Sequence, residues 1–306
     1  MQIGGDVYDW NPNEIIGQKE ANKVDRFSQF AMVAAARAFE NTGFDPVGSE
    51  AAARYGCILG SGIGGMTTLS EQMTRLVQKG PSRVSPMTIP KLMLNAGGGN
   101  IAIRHGLRGP NYSVGTACAS ATNAMGTAWE LVKSNVCDLA VTGGAEAALS
   151  RLAMSAFANM KALSYSKEEP ATVSRPFDAG RDGFVFSEGA GVLIFEELEH
   201  AKARGANILA EVVGFGTSCD AGHITSPDDT GKGAAMAMKM ALQDAGLRPE
   251  EIDYINAHGT STPLGDKAET RAVKTIFGEY AYDLSISSTK SQLAVSYTHL
   301  TLPTKA

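Results

Sequence analysis

Short apolar segments that end in glycine or polar turns alternate along this chain with longer segments of helical periodicity. The apolar segments predict strands at 55–59, 139–141, 191–195, 209–215, 252–256 and 284–287. Apolar residues at helical spacing predict helices at 27–42, 66–78, 90–104, 120–133, 233–245 and 263–277. Strands that alternate with helices are typical of a mostly parallel sheet, so we expect an α/β fold.

Two parts of the chain resemble each other, which indicates a duplicated unit. The segments 38–44 and 241–247 each close a predicted helix with a glycine, and in both cases a strand and a polar, glycine-bearing turn follow. A duplication would put the boundary between two similar α/β halves near residue 205. A similarity this short also arises by chance, so the residues alone leave both interpretations open.

Charge, cysteine spacing and hydropathy argue against several classes of function. The formal net charge is −5, whereas a nucleic-acid-binding domain is usually basic. The four cysteines include no C-x-x-C pair, so we expect neither a metal site nor a disulfide framework, and reduced thiols favour a cytoplasmic protein. The N-terminus has no signal-peptide pattern, and the longest uncharged run, 109–129, is too polar for a membrane span.

Cys118 is the candidate nucleophile. It lies in the segment 112–120, where a short β-like stretch reaches a glycine and then a helix of small residues. A cysteine at a helix N-terminus has its thiolate favoured by the helix dipole, so we expect a lowered pKa, and small neighbours leave room for a substrate. The alternative is a buried structural cysteine. The other three cysteines lie in or beside predicted strands and are expected to be core or surface thiols.

Two further candidates follow predicted strands. His258 comes after the strand at 252–256, in a turn rich in hydroxyl groups, and Lys290 follows the strand at 284–287. Active sites of parallel sheets gather at the carboxyl ends of strands, although a loop histidine or a solvated lysine would be ordinary there. The charged segment 175–184, with a phenylalanine near each end, is predicted to be a packed loop, and its pattern assigns it no chemistry.

Three motifs in order resemble the condensing enzymes of fatty acid synthesis, the β-ketoacyl-(acyl carrier protein) synthases. They are the segments 116–120, 256–262 and 288–291, and four further segments are similar to the same family, at 60–65, 106–110, 174–178 and 181–184. The resemblance covers nearly all of residues 1–293. It is stronger to the elongating type, synthase II, than to the initiating type.

The resemblance implies a thiolase-like fold, a five-layered αβαβα sandwich built from two duplicated halves. Residues 1–205 would form the N-terminal half, which carries the nucleophile, and residues 206–293 part of the C-terminal half, which carries the histidine and the lysine. It also implies an acyltransferase of fatty acid elongation that performs a decarboxylative Claisen condensation with malonyl-carrier. The enzyme would be a homodimer, would use no metal or organic cofactor, and would have acyl carrier protein as its partner.

The family pattern also implies roles for individual residues. Cys118 would hold the acyl chain as a thioester, and its backbone N–H would form part of an oxyanion hole. His258 would donate a hydrogen bond to the malonyl thioester oxygen, and Lys290 would orient the site electrostatically. Phe157 would gate the acyl pocket, and Thr260 and Thr262 would face the substrate. Because carrier proteins are acidic, we expect a basic docking patch. Its candidates are Lys19, Lys23, Arg26 and Lys161.

The chain departs from the family pattern at both ends. Family members begin with a strand and a helix that this chain lacks before Met1, and they continue for roughly another hundred residues, with a second catalytic histidine where Val295 stands. The tail 294–306 resembles nothing in the family and is interpreted as foreign sequence. We therefore expect this polypeptide to be truncated and unstable or inactive. A polyketide ketosynthase is the nearest alternative, and a non-catalytic partner of the chain-length-factor type is a more distant one.

Overall fold

The computed structural model describes residues 4–293, so Val295 and the tail 294–306 lie outside the described part. The strands are β1 Tyr55–Gly60, β2 Asn111–Val114, β3 Leu139–Glu146, β4 Gly189–Glu196, β5 Tyr254–Asn256 and β6 Ser285–Ser287. The helices are α1 Gln18–Ala21, α2 Arg26–Thr42, α3 Met66–Lys79, α4 Thr88–Leu92, α5 Ala96–His105, α6 Ser120–Lys133, α7 Arg151–Asn159, α8 Pro170–Val173, α9 Leu198–Ala203, α10 Lys232–Ala245, α11 Pro263–Phe277 and α12 Lys290–Leu293. The predicted α/β class is confirmed.

The main sheet has four strands in the order β2-β1-β3-β4. Strand β1 lies parallel to both β2 and β3, whereas β4 runs antiparallel to β3. Strands β5 and β6 form a second, parallel pair. The parallel strands β1, β2 and β3 therefore end at the same edge of the main sheet, and this edge carries the turn that follows β2 toward α6.

Along the central strands, the side chains of successive residues point to opposite faces of the main sheet. Leu59 and Val141 pack with α2 and α5 in one buried cluster, and Ile58 and Ala140 pack with α6 in another. All four side chains are almost completely buried, and full burial of one aliphatic side chain contributes about 2 kcal/mol to stability. The N-terminal half is thus a helix–sheet–helix sandwich.

Two sheet glycines allow α6 to approach the sheet closely. A Cβ atom on Gly60 would lie 2.3 Å from the backbone carbon of Ser120, and one on Gly144 would lie 2.7 Å from the Cβ of Ala121. Any larger residue would push away the first turn of α6. The glycines therefore help to fix the turn that carries Cys118.

The outer face of α6 meets the C-terminal half. Trp129 Nε1 donates to the carbonyl of Val212 (2.9 Å), and Lys133 Nζ lies 3.0 Å from Asp244 Oδ1 at the end of α10. The predicted strand at 209–215 is wrong, because no strand among residues 4–293 pairs with this segment. An apolar run becomes a strand only where a neighbouring strand accepts its backbone hydrogen bonds.

Most predicted helices agree with the structure within one or two residues, but the one at 90–104 is wrong. It divides into α4 and α5, separated by Met93–Asn95, where Met93 takes an extended backbone conformation (ψ 139°). At this break, the carbonyl of Leu92 accepts a hydrogen bond from the backbone N–H of Gly65 (3.1 Å) and not from a residue further along its own helix. Strand β3 is longer than predicted, since it continues through Gly143 and Gly144 to Glu146.

The internal similarity extends to the order of the local elements. Helices α2 and α10 each stop at a glycine in the left-handed region, Gly43 (φ 62°) and Gly246 (φ 66°). A short 3₁₀ helix and then a parallel strand follow in both halves, β1 in one and β5 in the other. The domain boundary near residue 205 stays a prediction.

Helix α2, with 17 residues, is buried along most of its surface, and its exposed residues are Arg37, Glu40 and Asn41. No helix within residues 4–293 combines the length and apolar character that a membrane crossing needs.

Candidate active site

Cys118 lies in a three-residue 3₁₀ turn that connects β2 to α6. The preceding residue, Ala117, has a left-handed backbone (φ 49°), which costs a non-glycine residue roughly 1–2 kcal/mol. Ser120 holds this bend, since its Oγ accepts from the N–H of Thr116 (2.9 Å) and donates to the carbonyl of Ala117 (2.7 Å). Strained backbone that its surroundings maintain is frequent at active sites.

The side chain of Cys118 borders an apolar cluster. Ile63, Met66 and Phe157 pack against the same cluster, whose buried members are Ala148, Ala153, Leu163 and Phe186. The ring of Phe157 lies 5.1 Å from that of Phe186. Phe157 therefore packs against the same apolar cluster as Cys118, and its gating role stays a prediction.

The loop after β5 is held by a carboxylate that the sequence analysis missed. Glu269, on α11, accepts hydrogen bonds from the backbone N–H groups of His258 (2.6 Å) and Gly259 (2.8 Å). From the other side, Ser288 Oγ donates to the carbonyl of Gly259 (2.9 Å). The imidazole of His258 is thereby held by a loop that is fastened to both α11 and the end of β6.

Thr260 and Thr262 continue the same loop. Their hydroxyl oxygens lie 2.9 Å apart, with Thr260 buried and Thr262 half-buried. The pair lies two and four residues after His258, but a contact with substrate stays a prediction for both.

Lys290 is buried, with 6% of its surface exposed, at the start of α12. The solvated alternative is therefore wrong for this lysine. Burial lowers the pKa of Lys290 to about 8, although Glu269, Cys118 and Asp266 act in the opposite direction. Two carboxyl groups and a thiol thus act on the ammonium group and favour its charged form, whereas desolvation favours its neutral form.

Electrostatic contacts bring the three predicted residues into one site. The charge of Lys290 lowers the pKa of the Cys118 thiol and also that of His258. Such effects need proximity in a poorly screened environment. Lys290 is therefore near enough to both Cys118 and His258 for its charge to act on their side chains.

The predicted lowering of the Cys118 pKa is wrong. Burial raises the pKa of the Cys118 thiol, and this outweighs the opposing effects of Lys290 and of the cysteine's own backbone N–H. Helix α6 begins only at Ser120, so Cys118 lies outside its first turn, where the helix dipole weakens rapidly. Glu146 raises the pKa of the thiol further. Lys290 is the larger of the two influences that favour the ionised thiol, and the backbone N–H of Cys118 is the other.

His258 is exposed to solvent over part of its surface, yet many protein atoms lie around it and desolvate its ring. This desolvation, together with the charge of Lys290, lowers the pKa of His258 below its ordinary range. The imidazole is neutral around pH 7, so one ring nitrogen can donate a hydrogen bond while the ring carries no charge.

The segment 175–184, to which the sequence pattern assigned no chemistry, fastens the His258 loop. The backbone of Arg175 donates to Ser261 Oγ (3.1 Å), and the backbone of Gly183 donates to the Ser261 carbonyl (3.0 Å). Arg181 Nε donates to the carbonyl of Thr262 (3.2 Å) and lies 3.3 Å from Asp266 Oδ2. Arg181 and Asp266 are thus further site residues that periodicity could not reveal.

We expect Arg181→Ala to destabilise the protein by about 3 kcal/mol, because it leaves the buried carboxylate of Asp266 without its cation. Arg181→Lys should lose less, since it keeps the charge but not the forked geometry. Urea denaturation measures both. Arg248→Ala, which removes an exposed arginine paired with Glu251, is the matched control. Equal unfolding midpoints for the alanine variants at 181 and 248 would contradict this account.

The four predicted docking cations differ in their surroundings. Lys19, Lys23 and Lys161 are exposed, and their docking role stays a prediction. Arg26 is not available in the same way, because its guanidinium pairs with the buried Glu188 (2.5 Å) and donates to the carbonyl of Val7 (2.8 Å). Its side chain is 31% exposed, and a docking role for Arg26 stays a prediction as well.

Two family models account for nearly the whole chain. The β-ketoacyl synthase N-terminal domain matches residues 10–201, and the β-ketoacyl synthase C-terminal domain matches residues 209–298. This chain belongs to the β-ketoacyl synthase family. Among curated relatives, a 3-oxoacyl-[acyl-carrier-protein] synthase 2 of Synechocystis is 46% identical over 290 residues, which are 95% of this chain and 70% of the relative. The Staphylococcus aureus protein of the same name is also 46% identical, over 95% of this chain and 72% of its own length.

Solved structures confirm the ketosynthase fold of this synthase chain. A β-ketoacyl synthase from Burkholderia phymatum superimposes with a TM-score of 0.86 at 36% identity, over 95% of this chain and 70% of that one. A type II PKS ketosynthase, solved in complex with its acyl-carrier protein and bound to the hexaketide, gives a TM-score of 0.84 at 30% identity, over the same shares. The predicted thiolase-like class and the predicted family are therefore confirmed.

Proposed function

We propose that this synthase joins an acyl chain, held as a thioester on Cys118, to the two-carbon unit of malonyl-(acyl carrier protein) in fatty acid elongation. The observation that carries the proposal is the position of Cys118 between an apolar cluster and Lys290, whose charge also reaches His258. The curated synthase 2 relatives support the same reaction.

The first half-reaction is a transfer of the acyl group between two sulfur atoms. The Cys118 thiolate attacks the acyl carbonyl of the loaded carrier, a new C–S bond forms, and the bond to the carrier sulfur breaks. The carrier thiolate leaves and takes up the proton that Cys118 lost. Lys290 stabilises the reacting thiolate, since its charge opposes the effect of burial on Cys118.

The second half-reaction forms a carbon–carbon bond. The bond between the malonyl methylene and its carboxylate breaks, carbon dioxide leaves, and the electron pair becomes an enolate at the thioester. The neutral imidazole of His258 donates a hydrogen bond to the enolate oxygen. The carbanion then attacks the Cys118 thioester and the cysteine sulfur leaves as thiolate, which regenerates the enzyme. Both steps balance without an oxidant, a metal or an organic cofactor, and we propose none.

The proposed partner is an acyl carrier protein, and the proposed assembly is a homodimer in the cytoplasm. One ketosynthase of the same fold was solved in complex with its acyl-carrier protein. Lys19 and Lys23 are exposed beside α1 and can meet an acidic surface. Complementary charge accelerates encounter more than it strengthens the final complex.

We expect the double charge reversal Lys19→Glu, Lys23→Glu to raise the KM for loaded carrier by about tenfold at low salt, and to leave kcat within about twofold. Stopped-flow or steady-state assays at two ionic strengths measure this, since the difference should shrink as salt screens the charges. Lys79→Glu, which reverses an exposed charge at the end of α3, is the control. An unchanged KM in the double variant would refute docking through these lysines.

A polyketide ketosynthase is the second candidate, because structures of that type share the fold at 30% and 32% identity. A non-catalytic chain-length-factor role is disfavoured, since such proteins usually lack the nucleophile that Cys118 supplies. Labelling with cerulenin, followed by peptide mapping, tests the nucleophile. Modification at Cys118 supports a condensing enzyme, whereas modification elsewhere or nowhere contradicts it. Products from octanoyl-carrier and malonyl-carrier then distinguish one elongation cycle from repeated extension.

A further inference from the structure

Glu146, at the end of β3, is a completely buried carboxyl group that the proposed reaction does not use. Its Oε2 accepts hydrogen bonds from the backbone N–H groups of Gly62 (2.8 Å) and Ile63 (3.2 Å). Its Oε1 has no hydrogen-bond partner among residues 4–293. A buried carboxyl is costly unless hydrogen bonds compensate it, so the position of Glu146 calls for an explanation.

The turn that Glu146 holds lies beside the nucleophile. It follows β1, and the N–H of Ser61 donates to the carbonyl of Val114 at the end of β2 (3.2 Å), just before the Cys118 turn. The side chain of Ile63 packs in the same apolar cluster as Cys118 and Phe157. The position of Ile63 at this cluster therefore depends on the two hydrogen bonds that Gly62 and Ile63 donate to Glu146.

A second buried carboxylate holds the other end of this segment. Asp25 Oδ2 accepts from the N–H of Thr68 in the first turn of α3 (2.7 Å), and its Oδ1 accepts from the N–H of Phe27 in α2 (3.1 Å). Residues 62–68 are thus held at both ends, and of these two carboxylates Glu146 is the one at the end that borders Cys118.

We propose that Glu146 is a positioning residue for the acylation of Cys118: it holds the Gly62–Ile63 turn and thereby the apolar wall along which the acyl chain lies. This proposal rests on the proposed function, because it concerns the chain that Cys118 receives.

The charge of the group has a consequence for the nucleophile. Burial, with a contribution from Asp25, raises the pKa of Glu146 to about 7, so the carboxyl changes charge near neutral pH. The ionised form raises the pKa of the Cys118 thiol, whereas Lys290 lowers it. Removal of the negative charge should therefore make the thiol more reactive, while removal of the acceptor oxygen should disturb the wall.

The test compares acylation of Cys118 by octanoyl-carrier and acetyl-carrier in Glu146→Ala and Glu146→Gln. We expect Glu146→Ala to raise the half-saturating concentration of octanoyl-carrier about tenfold, because two buried hydrogen bonds that position Ile63 are lost. The half-saturating concentration of acetyl-carrier should change less than about twofold, because its short chain does not reach this wall. Glu146→Gln keeps an acceptor oxygen and should stay within about twofold for both donors. If Glu146→Ala does not fold, Glu146→Asp, whose side chain is one methylene shorter, should give the same selective loss.

The control is Glu196→Gln, which removes a largely buried carboxylate (side chain 7% exposed) that is paired with Arg204 at the C-terminal end of β4. An equal loss for both donors in the alanine or aspartate variant, or the same selectivity in the control, overturns the positioning role. Alkylation of Cys118 by iodoacetamide tests the contact between Glu146 and Cys118 independently of the proposed function, because it needs no acyl donor. At pH 8 the alkylation rate should be several-fold higher in Glu146→Gln than in the unaltered protein.

An unaltered Cys118 that accepts neither donor refutes the proposed function. An unchanged alkylation rate refutes the electrostatic contact between Glu146 and Cys118.

Discussion

Cys118→Ala will abolish acyl transfer to the protein. Among residues 4–293, Cys118 is the one cysteine that packs against this apolar cluster, and Lys290 acts on it electrostatically. We therefore expect the turnover number to fall by about 10⁶-fold, the order found when a catalytic nucleophile is removed. Mass spectrometry of the protein after incubation with octanoyl-carrier measures the loss directly, as the mass increase of one acyl group should disappear. Circular dichroism should remain unchanged, since alanine fits the space of a half-buried cysteine.

Cys219→Ala is the matched control, because Cys219 is an exposed free thiol. It should keep both the acyl adduct and the turnover. An acyl adduct that persists in Cys118→Ala, or disappears in Cys219→Ala, would contradict the assignment of the nucleophile. The loading rate of the unaltered protein should also rise as pH rises from 7 to 9. Burial raises the pKa of the Cys118 thiol, so the reactive thiolate is a minor form at pH 7 and its fraction increases with pH.

His258→Ala will separate the two half-reactions. We expect the condensation rate to fall by about 10²–10³-fold, the usual effect of removing one donor to a developing oxyanion, while loading of Cys118 changes only a few-fold. Single-turnover assays that start from the acylated protein and malonyl-carrier measure condensation alone. His223→Ala, in an exposed loop, is the control and should leave both steps unchanged.

The pH dependence of condensation gives an independent test of His258. Burial and Lys290 lower the pKa of this imidazole, so it remains neutral as pH falls from 8 to 6. An ordinary histidine would gain its proton near pH 6.5, and a step that requires the neutral ring would slow through that range. The condensation rate of the acylated protein should therefore show no decline attributable to His258 between pH 8 and 6. A decline that disappears in His258→Gln would contradict the lowered pKa.

Several features of the site were predictable because they depend on local sequence. Cys118, His258 and Lys290 each follow a strand pattern directly, and the carboxyl ends of strands are where a parallel sheet exposes side chains to substrate. The family resemblance added Phe157, which the structure locates in the same apolar cluster as Cys118. The strand pattern thus indicated where Cys118, His258 and Lys290 lie along the chain, whereas Phe157 was indicated by the resemblance alone.

Other features were not predictable, since they depend on partners distant in the chain. Glu146 looks like the end of a buried strand, and only the fold brings its carboxyl to the turn after β1. Arg26 looks like a surface cation, yet it pairs with Glu188, which lies 162 residues later. The segment 209–215 has a strand pattern but lacks a paired strand among residues 4–293.

The amino-acid sequence by itself determined the α/β class, most of the elements and the identity of the candidate nucleophile, because hydrophobic periodicity and glycine turns act over a few residues. Only the tertiary structure decided the ionisation of these groups. The pKa values of Cys118, Lys290 and Glu146 follow from burial and from charges on other elements, and both are properties of the folded chain alone.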